Sequence, residues 1–319
     1  MDKLFIVSSS PHIRSNVSTQ KIMRDVLIAL TPAMIAGIIY FGIRALYLTV
    51  ICVITCVLTE WLYDKIMHKK TTIDDLSAVV TGVLLAFNLP ASASWWIAFV
   101  GSIFAILVVK QIFGGIGHNF VNPALAARAF LMTCWGARMT GGAFIPVDAV
   151  TSATPLGILK EKLAENLPSY MNLLLGTNVY GCIGEVSKIA LIVGGIYLIC
   201  RRVITWKIPV IYIGTVFVLS LIFGQDPLFQ ILAGGLMLGA IFMATDYTTS
   251  PITSKGQIIY AVGCGLITVI IRQYGAYPEG VSYSILLMNV AAPLIDRYTK
   301  PRVFGIEKVK KLKKRSEVV

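Results

Sequence analysis

Ten apolar runs punctuate this chain, at about 23–43, 45–63, 76–89, 94–113, 119–135, 187–200, 208–224, 228–244, 257–272 and 281–296. A bilayer's hydrocarbon core, roughly 30 Å thick, is crossed by about 20 helical residues, and no soluble domain has the interior to hide ten such segments. In lipid the backbone must satisfy its own hydrogen bonds, so the runs predict helices. Composition agrees: 56% hydrophobic, 14% charged and a mean hydropathy of +0.77 lie outside the range of soluble domains. The expected fold is an all-α integral membrane protein with about ten transmembrane helices, several of them short or interrupted. The opening stretch MDKLFIVSSSPHIRSNVSTQ is too polar for a cleavable signal peptide, so the N-terminus is expected to be retained.

An even number of spans puts both termini on one side. The tail KVKKLKKR at 308–315 marks that side as cytoplasmic, because Lys and Arg near span ends resist translocation. Under this topology 21 of the 28 Lys and Arg residues fall on cytoplasmic segments. The same asymmetry accounts for much of the net charge of +12. It reads as a basic tail against anionic lipid, with the bilayer and not nucleic acid as partner.

The two halves echo each other. DDLSAVVTGVLLAFNLP at 74–90 is a short apolar segment stopped by proline, followed by a span ending at Lys110 and then by NFVNPALAARAF at 119–130. PLFQILAGGLMLGAIFMATDYTTSP at 227–251 is likewise stopped by proline, and is followed by a span ending at Arg272 and then by YPEGVSYSILLMNVAAPLID at 277–296. Five spans per unit is odd, so a duplicated unit must lie upside down relative to its twin, and inverted repeats meet near the midplane in sites for small ligands or ions. The chain divides into a cytoplasmic N-terminal segment (1–22), a first membrane repeat (23–135), an extracytoplasmic loop (136–186), a second repeat (187–296) and a basic cytoplasmic tail (297–319). A stand-alone channel or transporter for a small polar solute would satisfy this plan.

Some polar residues stand out. Glu60, Asp246 and Asp296 lie inside or at the ends of spans, where each needs a partner, a watery cavity or an interfacial position. Glu60 has Asp64 and Lys65 one turn on, which offers a surface explanation. In GGIGHNFVNPALAARAF at 114–130, Asn119 and Asn122 are three residues apart and can face one ligand beside a helix that Pro123 starts, or simply cap that helix. His118 stands without a cluster and reads as interfacial. The six cysteines form no CxxC; Cys52 and Cys56 share a helix face, suited to packing or to half of an intersubunit site.

The loop between the repeats contains DAVTSATPLG at 148–157. Thr154 precedes Pro155, which favours an extended Thr and can open the amphipathic stretch LGILKEKLAENL, whose Leu156, Leu159, Leu163 and Leu167 share a face. Thr154 therefore reads as an N-cap; alternatively its hydroxyl carries a phosphate-containing group.

The string from Asp148 through Thr151, Ser152 and Ala153 to Thr154 resembles the motif read by flavin transferases. With NFVNPALAARAF, FMATDYTTSP (242–251) and APLID (292–296) in this order, the chain resembles the D subunits of Rnf electron-transport complexes and their homologues, the B subunits of the sodium-translocating NADH:quinone reductases. The family motif usually has glycine where Ser152 stands. The resemblance implies a membrane flavoprotein of an ion-translocating ferredoxin:NAD oxidoreductase in a prokaryotic inner membrane, active only within its complex. It implies covalent FMN at Thr154 on the outer face, a non-covalent riboflavin or second flavin at Asn119 and Asn122, and acids on an Na⁺ or H⁺ path at Glu60, Asp246 and Asp296. The implied partners are iron–sulfur and NAD-binding subunits, further membrane subunits, and a flavin transferase for maturation.

Overall fold

The computed structural model describes residues 17–139, 154–161, 167–177, 179, 181–275 and 277–301. Among them the regular structure is helical. The first repeat holds α1 (Thr19–Phe41), α2 (Ile43–Ile66), α3 (Ser77–Phe87), α4 (Trp95–Ile103) and α5 (Pro123–Met139). Two short helices, α6 (Pro155–Glu161) and α7 (Tyr170–Leu175), lie between the repeats. The second repeat holds α8 (Lys188–Cys200), α9 (Lys207–Ile222), α10 (Pro227–Leu232), α11 (Leu236–Leu238), α12 (Ser254–Tyr274) and α13 (Val281–Thr299). Helix α4 runs on as a π-helical stretch, Phe104–Gln111, and α11 as another, Gly239–Met243.

Only α1, α2 and α12 among the described helices are both long and apolar enough to cross a bilayer unaided. The 11 residues of α3 rise only about 16 Å and stop inside the bundle. The chain from Gly181 to Val186, expected in the extramembrane loop, folds in to meet that end: Ile183 N–H donates to the Leu89 carbonyl and Gly184 N–H to the Phe87 carbonyl, and Cys182, Ile183 and Glu185 are buried. The run at 228–244 likewise breaks between α10 and α11, where Gly234 has a φ of +68° that a side-chain-bearing residue rarely adopts. A broken helix is tolerable at membrane depth only when protein groups satisfy the freed backbone, and the partners here are buried side chains.

The inversion of the repeats is visible in how α1 meets α8. Asp25, near the start of α1, accepts from Tyr197 and Arg201 at the end of α8. A Cβ on Gly194 would lie 2.2 Å from the Ala29 carbonyl oxygen, and one on Gly37 would lie 2.9 Å from that of Ile183. As the numbers rise along α1 they fall along α8, so these equivalent helices are antiparallel. The other equivalences follow: α2 lies against α4 as α9 lies against α12, and α5 meets α13 between the repeats. The exposed faces of the long helices are aliphatic, as with Ile35, Ile39, Val50, Ile54, Val262, Leu266 and Ile270, which is the surface that lipid or membrane partners require.

Candidate functional site

At the near end of the bundle, where α1 begins, lies a cleft. Its walls are aliphatic, with Val26, Val80, Leu84, Leu198 and Val203, and its polar groups include Ser77, Lys110, Asn119, Asn122, Asp246 and Thr248. These residues come from helix ends that the inversion gathers: the starts of α1, α3 and α5 and the ends of α8 and of the two π-helical stretches. A π-helix carries an extra residue per turn and re-aims the side chains that follow. Lys110 and Gln111, at the end of the first such stretch, are buried.

Asn119 and Asn122 share this cleft, as their spacing predicts, but in different roles. Asn122 Oδ1 accepts from the N–H groups of Ala124 (3.1 Å) and Leu125 (3.3 Å), capping α5, while its Nδ2 donates to the Met243 carbonyl at 3.4 Å. That amide is committed to the protein and ties the start of α5 to the second repeat. Asn119 Nδ2 donates to the Val121 carbonyl at 3.2 Å, a local bond that a ligand could replace at small cost.

The three acids are placed differently from one another. Glu60 is buried, and the surface explanation from Asp64 and Lys65 does not hold. Both oxygens of its carboxylate accept from Lys110 Nζ at 2.9 Å, and one accepts from the Thr72 hydroxyl at 2.7 Å. Lys110 also donates to Ser77 Oγ at 2.6 Å. Asp246 lines the cleft, where the hydroxyls of Thr248 (3.0 Å) and Thr249 (3.2 Å) donate to it. Asp296 accepts from the Ile252 N–H at 3.1 Å, tying the end of α13 to the loop before α12.

The other end of the bundle carries Thr154. Its carbonyl accepts from Ile158 N–H at 2.9 Å and its Oγ1 from Gly157 N–H at 3.2 Å, so Thr154 caps α6. Leu156 is buried against the α10–α11 break, within 2.8 Å of where a Cβ on Gly234 would sit, and Lys160 donates to the Gly275 carbonyl. Leu159 is half-buried. Leu167, expected on the same buried face, is exposed. Asp148, Thr151, Ser152, Ala153 and Leu163 lie outside the described residues.

Between the two ends is a buried charged cluster that the sequence did not announce. Arg128 of α5 donates to Asn88 Oδ1 (2.8 Å), Glu185 Oε1 (3.4 Å) and the Glu279 carboxylate, with Cys182 Sγ at 3.6 Å. Lys188 donates to the carbonyls of Glu185 and Gly234, and Arg272 to those of Gln230, Ala233 and Glu279. These cations satisfy the carbonyls that the broken α10–α11 segment leaves free. The signal present in the sequence was three cations, Arg128, Lys188 and Arg272, that the cytoplasmic charge bias does not explain. Cys52 and Cys56 are buried inside the first repeat, with Cys56 Sγ 3.9 Å from the Ser102 carbonyl oxygen, out of reach of a neighbouring protein.

Relatives of known kind match nearly the whole of this chain. The model of the NQR2, RnfD, RnfE family matches residues 6–305. The D subunit of the Na⁺-translocating ferredoxin:NAD⁺ oxidoreductase complex of Acetobacterium woodii is 59% identical over 96% of both chains. The D subunit of the proton-translocating counterpart in Clostridium ljungdahlii is 48% identical over 95% of this chain and 96% of its own. The D subunit of the ion-translocating oxidoreductase complex of Halorhodospira halophila is 36% identical over 93% and 94%. Together with the helical membrane bundle and its inverted halves, this extent of match makes the chain a member of the NQR2, RnfD, RnfE family of membrane subunits of ion-translocating oxidoreductases.

Proposed function

We propose that this chain is the electron-carrying membrane subunit of an Rnf-type ferredoxin:NAD oxidoreductase complex that couples electron flow to export of Na⁺ or H⁺. Covalent FMN on Thr154 and a second, non-covalent flavin, riboflavin or a close analogue, in the near-end cleft are its cofactors. The observation that carries the reading is that Thr154 and the cleft lie at opposite ends of one helical bundle, as carriers on two faces of a membrane must.

The residues present suit both groups. Thr154 uses its oxygen, not its hydrogen, to cap α6, so an oxygen esterified to phosphate can still accept from Gly157. The near-end cleft has aliphatic walls for a flat ring, with polar groups among them for the ring's hydrogen-bonding edge. Asn119 meets the ligand, while Asn122 fixes the start of α5 and so the shape of the cleft. When bound, the isoalloxazine rings carry the electrons, and the protein's part is to hold them apart, orient them and exclude water. Asp246, on the cleft wall, is the acid best placed to meet the coupling ion; Glu60 acts through Lys110, and Asp296 through the loop that carries Asp246.

In this reading both termini face the cytoplasm of a prokaryote and α6 faces outward. Iron–sulfur and NAD-binding subunits dock on the cytoplasmic side, other membrane subunits cover the aliphatic flanks, and a flavin transferase completes Thr154 with Asp148, Thr151, Ser152 and Ala153 as its recognition segment. The test is direct. Coexpressed with a flavin transferase, the chain should give a fluorescent band after denaturing electrophoresis and a tryptic peptide heavier by one FMN at Thr154. Thr154→Val should abolish both while the chain still inserts. A dark wild-type band with an active transferase present would refute the covalent flavin.

A further inference from the structure

Helices α1 and α2 are joined by Gly42 alone, yet a groove separates them along Leu27–Met34 and Leu46–Ile54. Its floor is Leu30, Thr49 and Val83, all buried, and its lips are Thr31, Val50 and Ile54, all exposed, so it opens on the flank of the bundle. Pro32 lies at this level of α1 and leaves the Ile28 carbonyl without its helical N–H donor. The Thr31 hydroxyl donates to that carbonyl instead, at 2.6 Å, and the Thr49 hydroxyl donates to the Ala45 carbonyl at 2.8 Å. With both hydroxyl hydrogens used inside their own helices, the groove is wholly apolar, and its volume is about 320 Å³. Water finds no hydrogen-bond partner there, whereas a hydrocarbon chain needs none.

The groove stands behind the cleft. Helix α1 turns Met23 and Val26 to the cleft and Leu27 and Leu30 to the groove, and α3 turns Val80 and Leu84 to the one and Val79 and Val83 to the other. Whatever fills the groove therefore braces the wall that the two share.

The charges at the near end indicate what the occupant carries. Most acids there are already engaged: Asp25 by Tyr197 and Arg201, Glu60 by Lys110, Asp64 by Thr72 and Asp75 by Ser77. Arg24, Lys65, Lys69 and Lys70 are exposed, against Asp74 as the one exposed acid among the described residues of α1, α2 and the turn to α3. Arg24 forms no ion pair among the described residues. It begins the stripe Arg24, Leu27, Thr31 and Met34, whose spacing keeps it on the groove's side of α1. On α2, Lys65 Nζ lies 4.9 Å from the centre of the Trp61 ring, a cation and an aromatic of the kinds that settle at headgroup level. From Arg24 to Met34 the helix rises about 15 Å, half of a hydrocarbon core roughly 30 Å thick. That is the reach of one acyl chain within one leaflet.

We propose that this groove is a binding site for an anionic glycerophospholipid, with one acyl chain lying between α1 and α2 against α3 and the phosphate held at Arg24, across from Trp61 and Lys65. An apolar helix of another subunit would cover the lips but leave these cations without a counter-charge. A failure of the flavin reading leaves the site untouched, since its test needs no flavin.

The experiment uses the whole complex in phosphatidylcholine vesicles that contain a trace of phosphatidylglycerol with a photoactivatable diazirine midway along one chain. After illumination, adducts should map to the groove segments of α1 and α2, and unlabelled phosphatidylglycerol should displace the probe at about a tenth of the concentration that added phosphatidic-acid-free phosphatidylcholine requires. Arg24→Gln should lower these adducts about tenfold, while Arg24→Lys keeps them within about twofold. Arg44→Gln, at the exposed far-end start of α2, should leave them unchanged. Val50→Trp, which fills the mouth from its lip, should remove them whatever the headgroup. The melting point of the wild-type complex should rise with phosphatidylglycerol, and that of Arg24→Gln should not. Equal displacement by the two lipids would make the occupant an ordinary boundary lipid and overturn the site. Undiminished adducts in Arg24→Gln would also overturn it, as would a wild type without groove adducts in which a cysteine placed at Val50 cross-links to another subunit.

Discussion

Glu60 and Lys110 offer a sharp test of what a buried charge does in this bundle. Their side chains are 1% and 3% exposed, with both carboxylate oxygens 2.9 Å from the ammonium. Removing one partner of such a pair leaves a buried charge uncompensated, at a cost of about 3–5 kcal/mol, whereas replacing both with apolar groups is often neutral or stabilising. Glu60→Leu should therefore destabilise by roughly that amount, eased slightly because Ser77 Oγ, 2.6 Å from Lys110 Nζ, remains. Glu60→Leu with Lys110→Met should recover most of the loss. For a chain of this size the single change corresponds to a drop of roughly 5 °C in Tm. The assay is thermal unfolding in detergent followed by a thiol-reactive dye, since Cys52, Cys56, Cys182 and Cys264 are buried and react only as the chain opens. If the single and double variants melt alike, or neither melts below the wild type, the pair does not lock α2 to the end of α4.

Other outcomes follow from the same geometry. Asn119→Leu should lower extractable flavin in the intact complex with little change in melting, whereas Asn122→Leu should lower both, losing an N-cap of about 0.5–2 kcal/mol; identical behaviour of the two would refute their separate roles. Gly194→Val should fail to assemble or melt well below the wild type, because even a Cβ would lie 2.2 Å from the Ala29 carbonyl oxygen between α1 and α8. Arg128→Met should leave Glu185 and Glu279 unpaired and cost about 3–5 kcal/mol, read by the same dye; a loss no larger than that of an exposed substitution such as Lys69→Gln would show the cluster to be loosely held.

The positions of the helices were legible because lipid imposes one rule on every span: an apolar run must close its own backbone bonds. Thr154 was legible for a local reason, since the Thr-Pro pair fixes both the extended cap and the first helical turn. The surface alternative for Glu60 fails because its charged neighbours in sequence, Asp64 and Lys65, are not its ion-pair partner in space. Lys110 lies fifty residues away, and nothing in a single span's composition signals a cross-helix pair. The inward fold of 181–186 was missed for a similar reason. Its polarity matches an outer loop, and its burial depends on α3 stopping short.

The charge bias that oriented the chain also contained its own exceptions. Among the cations outside the cytoplasmic segments, Arg128, Lys188 and Arg272 are buried, and each binds a backbone or carboxylate group freed by a broken helix or inserted loop. Their place in the sequence follows from this role in stabilising the interior. Their donors tie α5, α8 and α12 to α3, the α10–α11 break and the turn before α13. The two repeats therefore share a charged centre between the Asn119 cleft and α6. A shift of either repeat that carried Glu279 or Gly234 away from its cation would expose an unpaired charge to low dielectric, so the centre favours discrete arrangements over gradual sliding. A subunit of an ion-translocating complex, which must not leak ions, needs that property.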